Sequence, residues 1–544
     1  MKQLTILFFL ILSFYQYAIS QSNKIVNIVN FIRLLEPRDS AITQDVLYQT
    51  VVEQIKLMRA HHLPGTFLLQ YDALMNSRYQ TLLKNLPRDS FEIGAWWEIP
   101  QPLVENSGMT WRGRYPWDWR ANIGFSTGYT PAEREKLIDT YMKDFHAAFG
   151  YYPRSVASWF IDARSLQYMY NKYHIVASAN CKDQYGTDGY TLWGGYWNGA
   201  YYPSKTNAYM PAQHKEKQIP VPIFRMLGSD PVRQYDDALS SARQGVVTLE
   251  PVYPAAGGDS TWIHWFFDQF VNGASGALAY AQAGQENSFT WNAMAKGLQM
   301  QFPLIETLRN EGKIKVETLA SSGEWFSSQF PLTPAAAVTV TQDLPGSDKK
   351  TVWYNSRFYR ANLLWEGGSL RFRDIHLFSE NLPSRYEKEV ATTNDCEFYT
   401  LPLVDGYLWS DSSFFAGLRF TALVNGKETE IRGGTPTVSD SVPGKLLIHW
   451  PMQGAPGRFV IECEENHLSI ALQGNTSLHW MLAFNAAKGK NLPFTDVSGN
   501  AVNASFEGMK YSLVADGATV VKGEKDAFRI QPKGMKMVLQ FEVK

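Results

Sequence analysis

One change of pattern limits what this chain can fold into. Up to about residue 325, apolar strand-like runs alternate with helix-like stretches; beyond about residue 330 helical periodicity stops and short, aromatic, alternating runs take over. Repeated strand–helix alternation buries its apolar faces in a parallel sheet covered by helices. Short alternating runs separated by Gly, Pro, Asn and Asp do so in antiparallel sheets.

The first part reads as follows. Strand candidates are KIVNIVNFI (24–32), GTFLLQY (65–71), SFEIGAWW (90–97), SVASWFI (155–161), HIVASA (174–179), VPIFRM (221–226), GVVTL (245–249), GASGALAYA (273–281) and IKVETLA (314–320). A helix starts at Thr43, carries Leu47, Val51, Ile55 and Met58 on one stripe, and stops before Pro64. Thr130-Pro131-Ala132-Glu133 has the order of a capping box, with Gly150 as the stop. Asp230-Pro231 opens another helix, and a further one spans about 291–309. Seven or eight such units predict an α/β fold, an irregular parallel (β/α)7-8 barrel over residues 21–330. A doubly wound open sheet is the competitor, but no G-x-G-x-x-G follows the first strand and no G-x-x-x-x-G-K-[ST] occurs. Residues 331–544 predict an antiparallel all-β, sandwich-like domain.

Residues 1–20, MKQLTILFFLILSFYQYAIS, have the form of an export signal: Lys2, an apolar run from Leu4 to Tyr15, and small Ala18 and Ser20 before the cut. The run is too short to span a membrane, so the mature chain is expected to be secreted or periplasmic, without a transmembrane segment. Lys and Arg number 51 against 52 Asp and Glu, for a net charge of -1. No charge excess exists to drive binding to nucleic acid or anionic membranes. Cys181, Cys396 and Cys463 form no disulfide framework; Cys396 and Cys463 could pair, leaving Cys181 alone.

A barrel presents its chemistry at the carboxyl ends of its strands. Those ends carry Arg33 to Glu36, Trp96-Trp97-Glu98, Trp159 to Asp162, Cys181-Lys182-Asp183, Glu250, Gly284-Gln285-Glu286 and Glu324-Trp325. Recurrent carboxylates beside aromatic rings suit sugar hydrolysis, in which one acid protonates the leaving oxygen and a second attacks or activates water. Asp162 and Glu286 are the expected catalytic pair, with Glu98 in reserve. Asp162 is equally placed to cap the helix beginning at Ala163. Trp96, Trp97, Trp159, Asp183, Tyr185, Trp193, Trp197, His264, Gln285 and Trp325 are the expected substrate contacts. No H-x-H, H-E-x-x-H or G-x-S-x-G occurs, so neither a transition metal, a cofactor nor a serine elbow is expected; calcium, which distant backbone and carboxylate oxygens can hold, is left open.

These blocks resemble the polysaccharide-deacetylase-like superfamily and its related glycoside hydrolases. GTFLL (65–69) is similar to the second-strand motif, FEIGAWW (91–97) to the third-strand H-E-I-G motif, and residues 138–162 to the helix–strand passage after it. The resemblance covers about residues 24–325 and implies an irregular seven-stranded barrel. Two departures stand out. Asn30-Phe31-Ile32-Arg33 replaces the aspartates that follow the deacetylases' first strand, and Ala95 to Glu98 stands where their metal-binding histidines would be. The metal-free barrel glycoside hydrolases, several with an all-β module after the barrel, are the closer likeness. It implies an exported glycoside hydrolase acting on an oligosaccharide or polysaccharide. The alternatives are a non-catalytic carbohydrate-binding protein and a polysaccharide deacetylase or other carbohydrate-active enzyme.

Overall fold

The computed structural model of the protein describes residues 23–442, 444–474, 477–523 and 527–544; the export signal expected over 1–20 lies outside them. Ten strands belong to the first part: β1 (Lys24–Ile32), β2 (Gly65–Leu69), β3 (Phe91–Trp96), β4 (Ser155–Ala157), β5 (Ala177–Asn180), β6 (Tyr190–Trp193), β7 (Ala200–Tyr201), β8 (Ile223–Arg225), β9 (Ala279–Ala283) and β10 (Lys315–Glu317). Parallel pairing runs β9-β1-β2-β3-β4-β5-β8, with β10 beside the first half of β1. β1 is buried on both faces from Ile25 onward, as a strand covered by side chains inside and helices outside must be. β8 and β9 share no ladder among the described residues. The rings of Phe224 and Tyr280 meet there, with centroids 4.9 Å apart. The result is an irregular barrel of seven parallel strands, open at one seam.

The local signals explain most of these elements. Thr130 caps the helix Pro131–Phe149, whose Glu133 carboxylate accepts in return from the Thr130 amide at 2.7 Å. Gly150 ends it at φ 81°. Thr43 caps the helix Gln44–Ala60. Two expectations need correction. GVVTL forms only an isolated bridge, Ser229 with Thr248, because the Gln234 side chain takes the Val247 amide at 2.6 Å. The Asp230-Pro231 segment makes a turn rather than an α-helix. Asp230 accepts from the amides of Val232 and Arg233 at 2.9 and 2.7 Å, followed by a short 3-10 turn, Gln234–Asp236.

After the helix Leu319–Gln329, no α-helix occurs among the described residues. Two antiparallel sheets of ten and eight strands follow. Phe420 and Trp480 of one sheet meet Trp450 and Phe459 of the other, with centroids 5.1–5.6 Å apart across the sandwich. The second part is threaded into the first. Strand Cys396–Tyr399 pairs in parallel with β6, and Trp353 stacks on Trp197 at 3.8 Å and 2°. All three cysteines are buried and free, so the Cys396–Cys463 bridge is not formed.

Candidate active site

The carboxyl ends of β1, β2, β3 and β9 converge on one salt-bridged cluster. Arg33 follows β1 and Glu98 stands two residues beyond β3. Arg33 donates from Nε to Glu98 Oε2 at 2.9 Å and from Nη2 to Oε1 at 2.6 Å. Gln70, directly after β2, donates to Glu98 Oε2 at 2.7 Å. The third nitrogen of Arg33, Nη1, lies 2.9 Å from Glu286 Oε2. That contact is an ion pair without hydrogen-bond alignment, so Glu286 Oε2 has no hydrogen-bonded partner. Ser288 donates to the other oxygen of Glu286 at 2.6 Å. Gly284, at φ 96°, brings β9 this close to β1: a Cβ there would stand 2.3 Å from the Val29 carbonyl oxygen.

A third glutamate completes the cluster. Glu250 sits beyond the Thr248 bridge and accepts from Thr248 Oγ1 at 3.0 Å and from Gln285 Nε2 at 2.8 Å. Burial, opposed by those two donors, pushes its pKa up to about 7. Burial also raises the pKa of Glu286, against the pull of Arg33 and the Ser288 hydroxyl. Lys182 donates to the Asp183 carbonyl at 3.1 Å, and burial lowers its pKa.

Glu98, Glu250, Glu286, Arg33, Arg38 and Lys182 line one cleft of about 130 Å³. Trp117, Trp119, Trp159, Tyr190, Tyr253 and Phe289 wall it. Arg33 lies over the ring of Trp117 at 5.1 Å. Trp159 stands edge-on to Trp96 at 5.4 Å and 89°, and Trp96 is itself stacked on Phe31 at 4.0 Å.

Of the residues expected from the sequence, Glu98, Glu286 and Trp159 line this cleft, and Gln285 bridges Glu286 and Glu250. Asp162 stands elsewhere. It caps the helix Ala163–Tyr173 through the Ser165 amide at 2.9 Å. It also accepts from Ser126 and Ser165 hydroxyls at 2.6 Å each and pairs with buried Arg134 at 3.1 Å. Asp183 is held by Arg225 at 2.9 Å and by Tyr209 and Arg360, at the junction with the β sandwich. Trp193, Trp197 and Tyr185 pack at the same junction, and Trp97 is core beside Tyr141. His264 is exposed on a helix, and Trp325 packs on Phe330 under Lys315.

Sequence reasoning assigned no role to Arg33, Lys182, Trp117, Trp119 or Tyr253. For Arg33 a signal existed, a cation directly after the first barrel strand. The aromatic run Tyr115 to Trp119 was the signal for the wall. The deacetylases that the sequence blocks resemble hold a metal on histidines and aspartate, and the residues here do not fit one. The cleft lining contains no histidine, its glutamates are engaged by Arg33, Gln70, Gln285, Thr248 and Ser288, and no metal-ligand cluster occurs among the described residues.

The fold is an irregular, open barrel of seven parallel strands followed by antiparallel sheets, and it has counterparts among known proteins. A family model described as a domain of unknown function with a solved structure, DUF3863, matches residues 121–301. A crystal structure from Parabacteroides distasonis, of a candidate glycoside hydrolase/deacetylase, shares 16% identity over 71% of this chain and 91% of that one, with a TM-score of 0.52. A candidate polysaccharide deacetylase from Mycobacterium smegmatis shares 10% over 57% of this chain and 92% of that one, with a TM-score of 0.37. The 4-alpha-glucanotransferase of Thermococcus litoralis shares 9% over 96% and 99%, with a TM-score of 0.32. No curated protein matches. Among the described residues no helix is long and apolar enough to cross a membrane.

Proposed function

We propose that this protein is an exported glycoside hydrolase that cleaves an oligosaccharide or polysaccharide in the cleft at the carboxyl end of the barrel. One observation carries this reading: Glu98, Glu250 and Glu286, from three separate segments, line a single aromatic-walled cleft. The description of the Parabacteroides distasonis protein supports the same class, and the leader-like residues 1–20 support export.

Glu250 is the general acid. With a pKa pushed up to about 7 by burial it holds a proton near neutrality, which it gives to the glycosidic oxygen as the bond to the anomeric carbon breaks. Glu286 is the second carboxylate. Arg33 and Ser288 oppose the upward push of burial on its carboxyl, and one oxygen lacks a hydrogen-bonded partner. It attacks the anomeric carbon, or takes the proton of the water that does. Glu98 is a positioning residue: both its oxygens are committed to Arg33 and Gln70, which fixes the guanidinium facing Glu286. Trp159 and Tyr253, both half-buried, offer ring faces to the apolar side of a sugar.

The test is turnover of Glu250→Gln and Glu286→Gln on a panel of glycans that the wild-type protein cleaves. Each amide variant is expected to lose about 10²–10⁴-fold in kcat with folding intact. Near-normal turnover in either removes that residue from the pair. Release of acetate rather than reducing ends from acetylated glycans favours the deacetylase reading instead.

A further inference from the structure

A second cavity, larger than the first, lies where the barrel meets the β sandwich. It measures about 600 Å³ and lies between the β5–β8 connection and the sandwich, bordered by Tyr185, Tyr399, Trp409, Phe494 and Phe506 among others. Tyr399 and Phe506 meet at 6.0 Å and 81°, and Trp409 and Phe494 at 5.8 Å and 69°. Rings set nearly at right angles form a corner rather than a flat patch. Tyr185, Tyr399, Phe494 and Phe506 are half-buried, so part of each ring is open to solvent.

The polar groups of this cavity divide into a locked floor and a free rim. On the floor, Asp405 accepts from Trp193 Nε1 at 2.8 Å and from the amides of Tyr407 and Leu408 at 2.9 and 2.7 Å. His376, 1% exposed, meets Thr400 through Nδ1 at 2.8 Å. Its Nε2 stands 3.3 Å from Asp405 without hydrogen-bond alignment and is left unpartnered. At the rim, the side chains of Asn491, Thr495 and Ser505 make no hydrogen bond among the described residues. No lysine or arginine lines the cavity, and the one acid at its edge, Glu507, is paired with Arg385.

Ring faces combined with free hydroxyl and amide groups, and without an uncommitted charge, match a neutral sugar: its CH face stacks on aromatics while its hydroxyls exchange hydrogen bonds at the edge. An anionic ligand would find no cation there. Position adds a second argument. Tyr185 belongs to the same short segment as Lys182, Gln184, Thr187 and Asp188, which line the candidate active site. The two cavities therefore share one loop.

We propose that this cavity is an auxiliary subsite that binds neutral saccharide units of a polymer outside the catalytic cleft. The ligand class rests on the function proposed above; the site rests on the cavity itself. The test measures binding separately from turnover. Retention of the full-length protein in native gels containing xylan, mannan, β-glucan or α-glucan is compared for wild type, Tyr399→Ala/Phe506→Ala, Ser505→Arg and Glu286→Gln. Ser505→Arg obstructs the cavity without removing a packed ring, which covers the case in which the double variant misfolds. At least one polymer is expected to retard wild type and Glu286→Gln alike. Its affinity should fall about tenfold in the Ser505→Arg and ring variants, the loss of about 1.4 kcal/mol expected for aromatic stacking. Retardation equal to wild type in Ser505→Arg, or no retardation of wild type by any of the four polymers, overturns the subsite. Full turnover in Glu286→Gln with cavity-dependent retention would instead refute the catalytic assignment alone.

Discussion

Arg33 and Glu98 form a two-pronged ion pair, at 2.6 and 2.9 Å, between the ends of two barrel strands, with 4% and 0% of their side chains exposed. A buried pair of this kind adds little net stability over an apolar pair of similar volume, because both charges were stripped of water. Its effect is geometric. With two nitrogens fixed on Glu98, the third is held 2.9 Å from Glu286, and the ends of β1, β3 and β9 are tied around one guanidinium.

Removing the guanidinium therefore costs more than the pair contributes. Arg33→Met leaves Glu98 buried without its cation, and a loss of about 3–5 kcal/mol in unfolding free energy is expected. Urea unfolding at neutral pH measures it. Arg33→Lys keeps the charge but not the fork. It should recover part of the stability while turnover stays low and the acidic limb of the pH profile moves upward, because a single ammonium nitrogen held by Glu98 no longer stands 2.9 Å from Glu286 and opposes its burial less. An Arg33→Met protein as stable as wild type would contradict this.

Two buried carboxyls give stability an unusual pH dependence. Burial pushes both Glu250 and Asp72 up to about 7, from ordinary values of 4.5 and 3.8. Each binds its proton more tightly folded than unfolded. Its contribution is thus fully present below the unfolded value and is lost as pH rises through about 7. For Glu250 the rise corresponds to about 3 kcal/mol. Glu250→Gln and Asp72→Asn should each gain stability relative to wild type between about pH 5 and pH 8. Unfolding titrations at both pH values check it, and a constant difference between variant and wild type would count against it. In activity, the same proton on Glu250 predicts a fall in turnover above about pH 7.

Asp162 shows why one half of the expected pair was ambiguous in the sequence. A carboxylate after a buried strand and before a helix reads equally as a cap and as a catalytic group at the barrel rim. The choice is made by Arg134, 28 positions earlier in the chain, and by Ser126, which the sequence could not place beside it. Asp162→Ala should cost about 3–5 kcal/mol, chiefly by leaving buried Arg134 without its carboxylate. Turnover per folded molecule should be unchanged. Chemical unfolding paired with active-fraction kinetics measures both, and an inactive, fully stable variant would return Asp162 to the catalytic pair.

The legible parts of the fold are those whose signals are local. The apolar run Ile25 to Ile32, the capping box at Thr130 and the loss of helical period after residue 330 sit within single windows of sequence, and each gave the right kind of element. GVVTL also looks locally like a strand, yet its amides find Gln234 and the Leu227 carbonyl rather than a ladder. The same competition made Glu250 hard to rank: it follows that run, and its partner Gln285 comes from another barrel segment. The Arg33–Glu98 pair spans 65 positions, and no local pattern encodes it. Aromatic content was visible from the start, but whether a ring walls a cleft or fills a core depends on distant contacts. Trp159 does the first and Trp97 the second.

The last prediction concerns the union of barrel and sandwich. Arg360, from a strand of the sandwich, is completely buried and joins Asp374 of its own sheet at 2.8 Å to Asp183 of the barrel. Trp197 and Trp353 stack face to face across the same boundary at 3.8 Å. Strand Cys396–Tyr399 adds backbone pairing to β6. Ladder bonds, a buried ion network and a stacked aromatic pair crossing one boundary couple the two parts energetically, because neither can lose its surface there without exposing charge and rings to each other's vacated site. The full chain should therefore unfold in a single calorimetric transition. Arg360→Met should lower its midpoint by several degrees, since Asp183 keeps Arg225 but Asp374 is left buried without its cation. Two resolved transitions in the wild-type protein, with only one of them moved by Arg360→Met, would show instead that barrel and sandwich fold independently.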